Sequence, residues 1–74
     1  MEMQRQPVNS SDIASVGYDE ASETLEIEFK ATGVYRYFSV PKTVAEELQR
    51  TPSPGKSFLQ HVKGKYAWEK TRAT

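Results

Sequence analysis

Residues 24–40, TLEIEFKATGVYRYFSV, confine this chain more tightly than any other stretch. Leu25, Ile27 and Phe29 alternate with Thr24, Glu26, Glu28 and Lys30. A period of two marks a strand with one buried and one wet face. Ala31-Thr32-Gly33 follows, and Gly33 can take a positive φ without steric cost, as the last residue of a three-residue hairpin loop requires. Pairing Lys30 with Val34 then sets Phe29 against Tyr35, Ile27 against Tyr37 and Glu28 against Arg36. A two-residue loop would instead face Arg36 with Ile27, which is worse for both. The expected hairpin therefore puts Tyr35 and Tyr37 on the Leu25/Ile27/Phe29 face, and Arg36 and Phe38 on the other.

The flanking segments read as material packed on that hairpin. Pro7 and Val8 open an extended lead-in, and residues 9–12 form a turn cluster. A first strand is expected over residues 13–18, with Tyr18 against Leu25, Val16 against Ile27 and Ala14 against Phe29. Gly17 inside it signals a bulge or a close approach by another group. After Val40 the period lengthens. Pro41 suits a first helical turn, Thr43 and Glu46 have capping-box spacing, Val44 and Leu48 share a face, and Pro52 stops the helix. Ser53 and Pro54 start a second helix with Phe58, Leu59 and Val62 as its apolar stripe, and Gly64 ends it. Tyr66 and Trp68 share parity, which fits a short strand or an extended tail over the core. The expected fold is α+β: a three-stranded antiparallel β-meander followed by two short helices packed on one face. One domain spans residues 10–68, with a flexible segment at 1–9 and a tail at 69–74.

A chain of 74 residues allows one small domain, which buries only about 60% of its unfolded surface. A deep catalytic pocket is hard to build at that size. Cysteine is absent, which removes disulfides and thiolate chemistry and fits a reducing compartment. His61 is the single imidazole, too few for a zinc site. The serines lack a Gly-x-Ser-x-Gly elbow, the glycines are scattered, and Glu26/Glu28 and Glu46/Glu47 read as solvated charge. The expectation is a cytoplasmic protein with no enzymatic activity, catalytic residue, cofactor, metal or membrane span.

Binding is better supported. One basic residue stands against seven acidic ones before Lys30, and nine against three from Lys30 onward. Tyr35-Arg36-Tyr37-Phe38 interleaves aromatic and basic groups, the combination that stacks bases and neutralises phosphates. The register above makes Tyr35 and Tyr37 core residues with hydroxyls at the rim, and leaves Arg36 and Phe38 as contact candidates. Lys56, His61, Lys63, Lys65, Lys70 and Arg72 could supply backbone contacts. The zero net charge argues against strong general affinity for nucleic acid. The other reading is a protein-interaction module or homodimer that uses the open sheet face or a free edge strand.

The runs Ser10-Ser11, Val16-Gly17-Tyr18-Asp19, Leu25-Glu26-Ile27-Glu28-Phe29, Gly33-Val34-Tyr35-Arg36-Tyr37, Val40-Pro41, Gly55, Phe58 and Lys63-Gly64-Lys65-Tyr66 together resemble the KTSC domain. This family is named for the C-terminus of some lysyl-tRNA synthetases and also occurs as short stand-alone bacterial proteins. The resemblance covers residues 10–66, with Tyr35 and Tyr37 as the family's Tyr-x-Tyr signature. It implies no established function. RNA or tRNA as partner follows from the synthetase association alone.

Overall fold

The computed structural model describes residues 5–71. Residues 1–4 and 72–74, including Arg72, lie outside the described residues. The elements run β1 (Arg5–Pro7), β2 (Ile13–Asp19), β3 (Thr24–Phe29), β4 (Gly33–Tyr37), α1 (Lys42–Arg50), α2 (Pro54–His61) and β5 (Trp68–Lys70). All five strands form one antiparallel sheet in the order β1-β2-β3-β4-β5. The α+β class and the central meander stand. The sheet gains an outer strand on each side, so it takes in Arg5–Pro7 and Trp68–Lys70 at or beyond the ends of the expected 10–68 domain.

Val16, Leu25, Ile27 and Tyr37 on one sheet face meet Ala45 and Leu48 of α1 and Phe58 and Val62 of α2. Ile13 and Val40 complete this core. Tyr18, Phe29, Tyr35, Val44 and Tyr66 pack around it, half-buried. The Tyr18 hydroxyl donates to the Val40 carbonyl and ties β2 to the segment leading into α1. Val40 N in turn donates to Glu23 O at 2.9 Å, which joins the β2–β3 loop to the same segment.

The hairpin register differs from the expected one by two residues. Leu25 faces Tyr37, Glu26 faces Arg36, Ile27 faces Tyr35 and Phe29 faces Gly33. The loop is residues 30–32, one position earlier, and Gly33 with φ +102° opens β4. Both loops have three residues, so side-chain parity survives: Tyr35 and Tyr37 do lie on the core side, and Arg36 on the other. Further differences have local causes. A bulge between Ile13 and Ser15 turns Ile13, and not Ala14, to Phe29 and into the core, where it is fully buried. The bulge sits three residues before Gly17.

In α1, Pro41 is the N-cap and no side chain caps the helix. Thr43 already lies inside the helix, so the Thr43/Glu46 capping box does not form. In α2, Ser53 is the N-cap and Pro54 the first helical residue, as expected, though the Ser53 side chain makes no capping bond. The buried stripe is Pro54, Ser57, Phe58 and Val62, whereas Leu59 is 59% exposed. Spacing explains this: Leu59 lies one residue past Phe58, about 100° round the helix.

Leu48 is fully buried at the centre of α1's inner face. Leu48→Ala should destabilise the domain by about 2–5 kcal/mol, a large share of what so small a core supplies. Urea unfolding followed by far-UV circular dichroism would check this. An unchanged midpoint would mean that α1 contributes little to the fold.

Candidate nucleic-acid interface

The face of the sheet away from the core is built on a charged row. The strand pairings align Arg5, Gly17, Glu26, Arg36 and Glu69 across all five strands. Glu26 is its centre, with a side chain only 6% exposed. One carboxylate oxygen accepts from Arg36 Nε at 2.9 Å and the other is ion-paired with Arg5 Nη1. Arg5 lies two strands away from Glu26, roughly 10 Å at ordinary strand spacing. Gly17 stands between them without a side chain, so the guanidinium can cross β2. This is the close approach that a glycine in that strand signals. Arg5 Nε also donates to Ser15 Oγ at 3.1 Å, and Ser15 Oγ donates to Glu28 Oε1 at 3.0 Å.

The opposite side of β4 and β5 has a different character. Trp68 is 56% exposed, and its ring lies 5.4 Å from that of Tyr35 at 54°. Tyr35 meets Phe29 edge-on at 5.5 Å, Phe29 meets Phe58 at 5.1 Å, and Phe58 meets Tyr37 at 5.5 Å. Five aromatic rings thus run from the core to the surface. Lys70 Nζ sits 6.0 Å from the Tyr35 ring centre. A side chain at Gly33 would come within 3.7 Å of the Lys70 stem, in ordinary contact. Lys63 and Lys65 are exposed in the turn between α2 and β5. Phe38 N bonds Ala67 O and Thr71 N bonds Val34 O. By the antiparallel alternation, the backbone groups of Trp68 and Lys70 therefore point away from β4, toward the outer side of the sheet.

The sequence-based candidates thus separate. Lys63 and Lys65 lie on the connection that leads to Trp68. Arg36 is exposed on the other face and is held by Glu26. Phe38 is half-buried and is not among the side chains packed on the core. Lys56 and His61 are exposed on α2, beside a cleft that Glu47 and Gln60 also line. Tyr35 and Tyr37 are both core-side, but only Tyr35 reaches the surface group, through Trp68. Lys70 belongs with the basic candidates of the sequence, whereas Trp68 is read there only as part of a short strand or tail; the structure sets both beside Tyr35. The signal available for Trp68 was the shared parity of Tyr66 and Trp68, continued by Lys70.

Comparison with known proteins fits this architecture. A family model described as the KTSC domain matches residues 9–66. The chain belongs to the KTSC domain family. A crystal structure of a KTSC domain protein from Yersinia pestis is 41% identical, with a TM-score of 0.92, covering 96% of this chain and all of that one. A protein named lysine–tRNA ligase from Nostoc punctiforme is 42% identical over 57 residues, 77% of this chain. This KTSC chain spans about a tenth of that ligase's length. An uncharacterised protein from Stutzerimonas stutzeri is 39% identical over 82% of this chain and 86% of its own length. The family is thus found both in small proteins and within ligases, and these small relatives carry no named activity. No helix among the described residues is long and apolar enough to cross a membrane.

This geometry has consequences for stability. Glu26→Gln leaves two guanidiniums without their anion and should cost about 1.5–3 kcal/mol, the range for hydrogen bonds to charged groups. Denaturant unfolding measures it, and a wild-type midpoint would show that the row is ornamental. Burial pushes the Tyr37 phenol up to about 12, with Tyr35 adding to the effect. The unfolded phenol ionises near 10. Stability should therefore be level below pH 10 and fall between pH 10 and 12, as the unfolded chain releases the proton first. Tyr18 is raised too, chiefly by burial and then by Glu23. Tyr37→Phe should accordingly flatten the alkaline decline without abolishing it, as read by thermal melts from pH 9 to 12.

Proposed function

We propose that this KTSC domain is a non-enzymatic RNA-binding module that meets its ligand at the β4–β5 edge. The observation that carries this reading is the exposed Trp68 ring supported by Tyr35, with Lys70 beside it. An exposed aromatic on a rigid base offers a stacking surface, and nearby lysines offer phosphate contacts. The occurrence of the same domain within proteins named lysine–tRNA ligase supports RNA as the polymer. The charged face is a poorer surface for a polyanion, because Glu26, Glu28 and Glu69 outnumber Arg5 and Arg36 there.

Among the described residues β5 is an outer strand of the sheet, which favours one other reading, addition of a strand from a partner protein. A second copy is a poor partner, since symmetric pairing centred on Glu69 would set that carboxylate against its own copy.

The experiment is a heteronuclear NMR titration of the labelled domain with single-stranded RNA and with tRNA, at low and then moderate salt. Shifts are expected at Tyr35, Trp68, Lys70 and residues 63–66, and they should weaken with salt. Reversing charge at Lys63, Lys65 and Lys70 together should weaken binding at least roughly tenfold. Binding indifferent to salt and to that reversal would reject the proposal. Shifts centred on Lys56 and His61 would also reject it, by placing the contact on α2.

A further inference from the structure

We infer that the RNA is held as a single strand, with one unpaired base stacked on the solvent side of Trp68 and the neighbouring phosphates on Lys63, Lys65 and Lys70. This rests on the RNA-binding reading and specifies the ligand class. One side of Trp68 is already occupied by Tyr35, and the indole is still 56% exposed. Tyr35 is held edge-on by Phe29, which is held by Phe58. The indole therefore rests on a packed column of rings, and stacking on it orders little that is not ordered already.

Within a duplex both faces of each internal base are covered by its neighbours, so only an unpaired or terminal base can offer a face to an indole. The acidic neighbour does not interfere: Glu69 pairs with Arg36 and points to the opposite side of the sheet. The Trp68 backbone N–H and C=O point outward at the same position. They provide a donor and an acceptor for a base edge that has no Watson–Crick partner. Three lysines set the electrostatic contribution. Neutralising three phosphates of a single strand gives a slope of roughly −2 in log affinity against log salt.

Trp68 is the chain's single tryptophan, so its fluorescence reports on this site alone. The test titrates the domain with a single-stranded oligoribonucleotide and with the same strand in a duplex long enough that internal pairs far outnumber its two ends, compared per nucleotide. Indole fluorescence is read alongside the anisotropy of a dye on the RNA. The expected result is quenching by the single strand, little binding by the duplex and a salt slope near −2. Trp68→Ala should weaken the single strand about five- to hundredfold, and Trp68→Phe should retain most of the affinity. Circular dichroism of both variants separates lost contact from lost fold. Three outcomes overturn the inference and leave RNA binding intact: anisotropy rising without quenching, a Trp68→Ala variant that binds as before, or a duplex that binds as well as the single strand. No rise in anisotropy with either RNA overturns both.

Discussion

The Glu26 carboxylate is the constraint on which the sheet depends. A carboxylate removed from water costs several kcal/mol unless it is paired and hydrogen-bonded. Here two guanidiniums meet that cost, one from each side, and each comes from a different strand. The same interaction therefore fixes β3 against β4 and, across β2, β1 against β3. Sliding β4 by two residues would give Arg36 to Glu28 and take it from Glu26, with no change in which residues face the core. Apolar parity alone cannot distinguish these two registers. The ion pairs can, and they do so on the face that no helix covers.

That division shapes the whole KTSC domain. One face is closed by two short helices and filled with aliphatic side chains and aromatic rings. The other carries a charged row in which Arg5 and Arg36 both pair with Glu26. Neither face is left as a broad adhesive surface. What remains is the margin, where the aromatic column emerges from the core at β5 and ends in Trp68.

Much of this was legible in the sequence. The alternation of Leu25, Ile27 and Phe29, the three-residue loop length and the Tyr-x-Tyr spacing fixed the parity of three strands. Pro52 and the Ser53-Pro54 pair placed the break between the helices. The loop frame was not legible, because Ala31-Thr32-Gly33 and Lys30-Ala31-Thr32 differ only in long-range partners, above all Arg5. Arg5 sits in a polar stretch with no periodicity, and a three-residue strand offers none to read. The bulge at Ala14 exchanged Ile13 for Ala14 in the core, a swap that burial favours but strict alternation hides. Of the candidate site, Lys63 and Lys65 were found from composition. That Glu26 holds Arg36 was not legible, because side-chain parity allows Glu28 as its partner equally well. Lys70 was found from composition too, but Trp68 was passed over because β5, like β1, is only three residues long.

The two outer strands have a mechanical consequence. β1 and β5 lie on opposite edges of the sheet, four strand spacings apart, roughly 19 Å. The family-matched span of residues 9–66 stops just inside both. Where such a domain is joined to other sequence on both sides, the connections leave from opposite margins. Tension along the polypeptide would then act across the ladders, whose hydrogen bonds break in succession, and not along them, where all bonds resist together. The Arg5–Glu26 pair, spanning β1 to β3 over Gly17, is placed to act as a rivet against that peeling at one margin, and the Trp68–Tyr35 contact at the other.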